Sequence, residues 1–135
     1  MNDWTEYLDD PLAIRSVFKE GVPPLDRVQV HEVSLLASGP SVSLRFDLGA
    51  FSTAPPKKWV ERGNNRVQVT LVAVGVSAVH LDGIETRVLG SIVLSKQGNA
   101  IRLRLNAEHT TLELIADFLY IRVMSAYTRC DPRDD

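Results

Sequence analysis

The sequence predicts a mostly β domain: an antiparallel sheet or sandwich of about seven or eight strands, with one short N-terminal helix packed on it. Three observations lead there. From Val28 onward, apolar and polar residues alternate in short runs. The cleanest sets Val42, Leu44, Phe46 and Leu48 against Ser43, Arg45 and Asp47, the pattern of a strand with one wet face. Turn-forming clusters punctuate these runs: Ser38-Gly39-Pro40-Ser41, Gly63-Asn64-Asn65, Asp82-Gly83 and Gln97-Gly98-Asn99. Helix signals concentrate in a single early stretch, between Asp10 and Gly21.

The length of 135 residues fits one domain, residues 1–135, with the polar residues 129–135 read as a frayed tail. A chain of this size can bury about two thirds of its unfolded surface, so it needs no metal or disulfide to fold. Hydrophobic residues at 44% and charged residues at 24% describe a globular chain, and a net charge of −2 argues against a nucleic-acid binder. The lone cysteine, Cys130, has no internal partner and suits a reducing compartment. The N-terminus shows no basic region followed by an apolar run, and no apolar run approaches a membrane span. A cytoplasmic protein is therefore expected.

In the helical stretch, Asp10 is placed as N-cap, Pro11 at the first helical position and Gly21 as the stop. Leu12, Ile14, Val17 and Phe18 approximate one apolar stripe, and Pro23-Pro24 prevents continuation. In 28–37, Val28 and Val30 share one parity while Val33 and Leu35 share the other, which a β-bulge near His31-Glu32 reconciles. The next strand, from Val42, forms a hairpin with it. The loop 49–65 is long for a compact domain, and loops of that length are functional or tied down by their own side chains. Phe51 and Trp59 offer the tie-down, with Pro55-Pro56 stiffening the middle.

A second alternating strand carries Val67, Val69, Leu71 and Ala73. Gly75 then marks a bend, after which Val79 and Leu81 continue with opposite parity. In 87–95, Val88, Ile92 and Leu94 oppose Leu89 and Val93, so both faces are expected to be covered, one of them by the N-terminal helix. Ile101, Leu103 and Leu105 alternate with Arg102, Arg104 and Asn106. The stretch 111–124 mixes parities around Ala116-Asp117-Phe118 and reads as two short strands or one bulged strand.

Catalytic chemistry finds little support. His31, His80 and His109 lie far apart, without ligand spacing to another histidine or cysteine. Ser91 follows Gly90, but the residues after it continue a strand rather than opening a helix. No glycine-rich turn feeds a helix N-terminus. Asp9-Asp10 and Asp134-Asp135 sit in helix-cap and tail contexts. No catalytic residue, metal site or cofactor is expected. Trp59 is either a loop anchor or an exposed binding hot spot, with Lys57-Lys58 solvated beside it. Arg45, Arg102 and Arg104 form a basic strip if their strands are neighbours. The acidic N-terminal segment, Asp3, Glu6, Asp9 and Asp10, is either a solubilising end or a surface complementary to a basic partner.

One ordered set of residues carries a resemblance. It begins with the N-terminal Trp4 and Tyr7 and a helix ending before Pro23-Pro24. A hairpin ending Phe46-Asp47-Leu48 and the spacing Pro55-Pro56-x-x-Trp59 follow. Then come 65–71 (NRVQVTL), a Val76, Val79, Leu81, Gly83 run, and a late strand ending Ser125-Ala126-Tyr127. The chain resembles immunity protein 50, a family of antidotes in bacterial polymorphic toxin systems, over residues 4–127. Ala126 stands where that family typically has glycine. The resemblance implies a non-enzymatic protein that binds a cognate secreted toxin in the producing cell and occludes its active site. It carries over no contact residues, because the shared motif describes the fold. From the residues themselves, the candidates for partner contact are Asp3, Glu6, Asp9, Asp10, Lys57, Lys58 and Trp59. A small-molecule-binding β domain and a structural subunit of a larger complex are the alternatives.

Overall fold

The computed structural model describes residues 4–19, 21–49 and 57–128. Eight strands make one antiparallel sheet. They are β1 (Val28–Leu36), β2 (Ser41–Asp47), β3 (Arg66–Val74), β4 (Ala78–Asp82), β5 (Val88–Gln97), β6 (Ala100–Ala107), β7 (Thr111–Ala116) and β8 (Phe118–Tyr127). Their order across the sheet is β4-β7-β6-β5-β1-β2-β3-β8. Of sheet and sandwich, the sheet is what forms, but it is strongly folded on itself.

The fold-over occurs at Asp117. β7 and β8 are one length of chain broken at this residue, yet β7 pairs with β6 and β4 while β8 pairs with β3. The mixed parity of the sequence here is thus a corner between two strands. β3 bends beside it at Gly75, and the Asp117 N–H donates to the Val74 carbonyl at 2.9 Å. Gly75 has φ of 69°, and a Cβ there would lie 2.2 Å from Asp117 Oδ2, so only glycine fits.

The inward rows are densely filled. Val42, Leu44 and Phe46 of β2, Val67, Val69 and Leu71 of β3, Leu103 and Leu105 of β6 and Leu112 and Leu114 of β7 are all essentially buried. Burying a side chain of this kind is worth about 1.5–3 kcal/mol, so these rows dominate the stability. The bulge expected near His31-Glu32 is present, as a register shift between Val30 and Glu32 against β2. The turns at Gly39, Gly75, Gly83 and Gly98 all use positive φ.

The N-terminal part differs from expectation in detail. A 3₁₀ turn, Trp4–Tyr7, precedes α1 (Leu12–Val17). The N-cap is Pro11 rather than Asp10, whose Oδ1 accepts the Leu12 N–H at 3.1 Å from one residue further out, and the helix ends by Phe18 rather than running to Gly21. Ile14 and Phe18 enter the core, while Leu12 stays exposed, because six residues make under two turns and cannot bury a wide stripe. The 3₁₀ turn lies against β5. Buried Trp4 donates its Nε1–H to the Pro23 carbonyl at 2.9 Å. The outward row of β5 is not covered as expected, and Leu89 and Val93 remain exposed. In the long loop, 57–61 forms a short helix, α2 (Lys57–Glu61), with a Lys57–Glu61 ion pair at 3.7 Å. Phe51, Pro55 and Pro56 lie outside the described residues, as do Cys130 and the tail.

Candidate partner-binding surface

The candidate contact residues fall at two places. Glu6, Asp9 and Asp10 are carried by the 3₁₀ turn and the lead-in to α1. That segment docks on the start of β8, where Leu8 bridges Leu119 and the Asp9 N–H donates to the Leu119 carbonyl at 2.8 Å. All three acids are exposed. Asp3 lies outside the described residues. Lys57, Lys58 and Trp59 belong to α2 at the other end of β8, where the Asn65 N–H donates to the Tyr127 carbonyl at 3.0 Å. Eight residues of strand separate Leu119 from Tyr127, about 26 Å. The acidic and the lysine–tryptophan groups are therefore not brought together. Both lysines are exposed, whereas Trp59 is half-buried and packs against the core, which fits its anchor reading.

The proposed basic strip does not form. Arg102 and Arg104 share β6, but β5 and β1 stand between that strand and Arg45 on β2. Each arginine faces an acid instead. Arg45 Nε is 3.3 Å from Glu32, and Glu113 lies 2.6 Å from Arg102 Nη2 and 3.4 Å from Arg104 Nε. Glu113 is the centre of a row formed by His80 of β4, Glu113 of β7 and Arg104 of β6, in register across three strands. The Arg102 hydrogen bond is the main reason its carboxyl is held below its ordinary value; the charges of Arg102, Arg104 and His80 add to this, against some desolvation.

A second polar cluster was not anticipated. Asp47, at the end of β2, is only 3% exposed, and three neighbouring strands converge on it. His31 Nε2 of β1 lies 3.0 Å from Asp47 Oδ2, and Gln68 Nε2 of β3 donates to Oδ1 at 3.4 Å. The Tyr127 hydroxyl of β8 reaches past β3 to donate to Oδ2. A buried carboxylate without partners is costly, and these groups supply them. The bulge in β1 puts His31 where it can take part. The cluster clasps four adjacent strands next to the long loop; the partners point inward at Asp47. Among the described residues, no group of three or more histidine, cysteine, aspartate or glutamate side chains is arranged to hold a metal ion. In the sequence, Asp47 carried one signal: an acid two residues before the long loop, on an otherwise simple outward row.

A family model, Immunity protein 50, matches residues 10–127, nearly the whole chain. The chain belongs to that family. Searches of curated proteins and of solved structures returned no match. The resemblance read from the hairpin, the 65–71 segment and the late tyrosine strand is thereby confirmed as family membership. The structure gives those motifs physical roles in this immunity protein 50 member. Phe46 is a core side chain, Asp47 is the centre of the clasp, and Tyr127 is its far arm. These residues hold the scaffold together. Membership also implies a toxin as binding partner.

Proposed function

We propose that this protein is an immunity protein that binds and neutralises one cognate secreted bacterial toxin by covering its active site, without itself catalysing a reaction. The observation that carries the reading is the family match over residues 10–127. The architecture suits that role. A folded-over sheet with filled inward rows is a rigid support for a contact surface, and pre-organised surfaces lose less entropy on binding. The protein acts in the cytoplasm of the producing cell, where a toxin must be silenced before export.

The test is co-expression with the product of the adjacent upstream gene. Rescue of growth and co-purification of a one-to-one complex are expected. A toxin that kills equally well with and without this chain would sink the proposal. Exposed apolar side chains such as Leu35, Leu81 and Ile84 also favour a second reading, a structural subunit of a larger complex. A stable multiprotein assembly recovered from cells lacking the toxin gene would point that way.

A further inference from the structure

Several strands leave a backbone edge unpaired among the described residues, and two of those edges, on β1 and β4, flank one slot. β1 pairs with β2 as far as Leu36 but with β5 only over Val28, Gln29 and Val30. β4 ends the sheet order and pairs with β7 alone. At one end of the slot, the Pro40 carbonyl, in the turn that joins β1 to β2, accepts the N–H groups of Gly75 and Val76, in the connection from β3 to β4, both at 3.1 Å. At the other end, Val30 to Val33 line a single cleft of about 270 Å³ with Leu81 and Gly83 to Glu85. β1 and β4 thus run past each other in opposite directions with nothing described between them.

Register explains why the slot is apolar. Val33 and Leu35 stand opposite buried Leu44 and Val42, and Val79 and Leu81 stand opposite buried Leu114 and Leu112. All four belong to inward rows, yet Leu35 is 62% and Leu81 48% exposed, because no strand among the described residues covers them. Ile84, at the mouth, is 92% exposed. The chain has therefore made a core surface and left it open.

The missing occupant has a definable chemistry. Unpaired strand edges are matched by another extended chain, which supplies main-chain hydrogen bonds along the edge and apolar side chains at every second position. The carboxylates lining the cleft are those of Glu32 and Glu85, and His31 beside them is turned to Asp47. Arg45 meets Glu32 at 3.3 Å, and Glu85 accepts the His109 N–H and the Thr110 hydroxyl. Glu32 is already matched by Arg45, whereas these donors to Glu85 are neutral, so charge complementarity calls for a lysine or arginine beside the apolar residues at the Glu85 end. A folded second copy fits poorly: its own edge strands β1, β4 and β8 are bonded on one side to β2, β7 and β3, so they can reach one wall but not lie between two.

We infer that an extended, apolar and basic segment of the cognate toxin docks in the slot between β1 and β4. This rests on the immunity reading and adds where and how the toxin is held. The test pairs two measurements on the full-length chain with its purified toxin. In the first, the double variant Leu35→Lys with Leu81→Lys is expected to weaken toxin binding about a hundredfold, while Val93→Lys on the outward row of β5 changes it by less than about threefold. In the second, which needs no variant, amide exchange at 33–36 and 79–81 of the wild-type chain slows at least about tenfold in the complex. A toxin bound by the wild type with neither effect would overturn the slot and leave the immunity reading standing. Protection of the same amides at high protein concentration without toxin would assign the slot to a second copy and overturn the inference. Failure of the wild type to bind the toxin at all would remove both readings.

Discussion

Asp47 shows how a single residue can hold a long-range arrangement. It sits on the outward row of β2, where a charged residue normally meets water, yet it is buried beneath His31, Gln68 and Tyr127. Removing its carboxylate takes the acceptor from a half-buried tyrosine hydroxyl and a half-buried amide, and a hydrogen bond to a charged group is worth about 1.5–3 kcal/mol. Asp47→Ala is therefore expected to lower stability by about 2–4 kcal/mol in urea unfolding. Asp47→Asn, which keeps one acceptor oxygen, should lose less than half of that. A loss below about 0.5 kcal/mol for the alanine variant would show that the clasp adds nothing net. Nothing in local pattern distinguishes this aspartate from a solvated one. Its partners lie 16, 21 and 80 positions away by residue number, so only the folded sheet brings them together.

Elements were more legible than contacts, and the reason is periodicity. Alternation located the strands, and turn residues separated them: Gly39, Gly75, Gly83 and Gly98 all sit in the positive-φ turns their clusters implied. The bulge was readable because a parity switch between Val30 and Val33 within one strand requires an extra residue. What failed was inference of cover. Leu89 and Val93 looked like a second buried face but stay exposed, since alternation reports the two faces and not what packs on them. The same blindness hid the slot: parity placed Val33, Leu35, Val79 and Leu81 on a face of their strands but said nothing of what covers it. A row across elements yields the next prediction. Glu113 of β7 has its carboxyl held below its ordinary 4.5, first by the Arg102 hydrogen bond and then by the charges of Arg102, Arg104 and His80. A folded-state value below the unfolded one contributes stability that is full above about pH 4.5 and is lost as pH falls through the lowered value. Wild type should therefore melt above Glu113→Gln at pH 6, and the gap should close as the pH falls below about 4.5. A gap that persists in strong acid would assign the effect to packing.

At the scale of the whole molecule, the fold joins two regions of unequal strength. Buried rows on β2, β3, β6 and β7 anchor the centre, while among the described residues β4 and the second half of β1 each lack a neighbour on one side. Segments with few partners open at low free energy, so amides of β4 and of 33–36 should exchange well before those of β3 and β6 in the free protein. A partner that fills the slot binds only the folded state and raises stability by mass action: about 2.7 kcal/mol when free toxin is a hundredfold above Kd. For a domain of this length that is a rise in melting temperature of roughly 10 °C. Because Leu35 and Leu81 are already exposed, lysine at both positions should leave the melting temperature of the free protein within about 2 °C of wild type. The toxin-dependent rise should nevertheless disappear in that variant, so scanning calorimetry of four samples, each chain with and without toxin, separates holding the fold from holding the partner. A variant that melts like wild type alone and gains the same increment with toxin would place the contact elsewhere on the sheet.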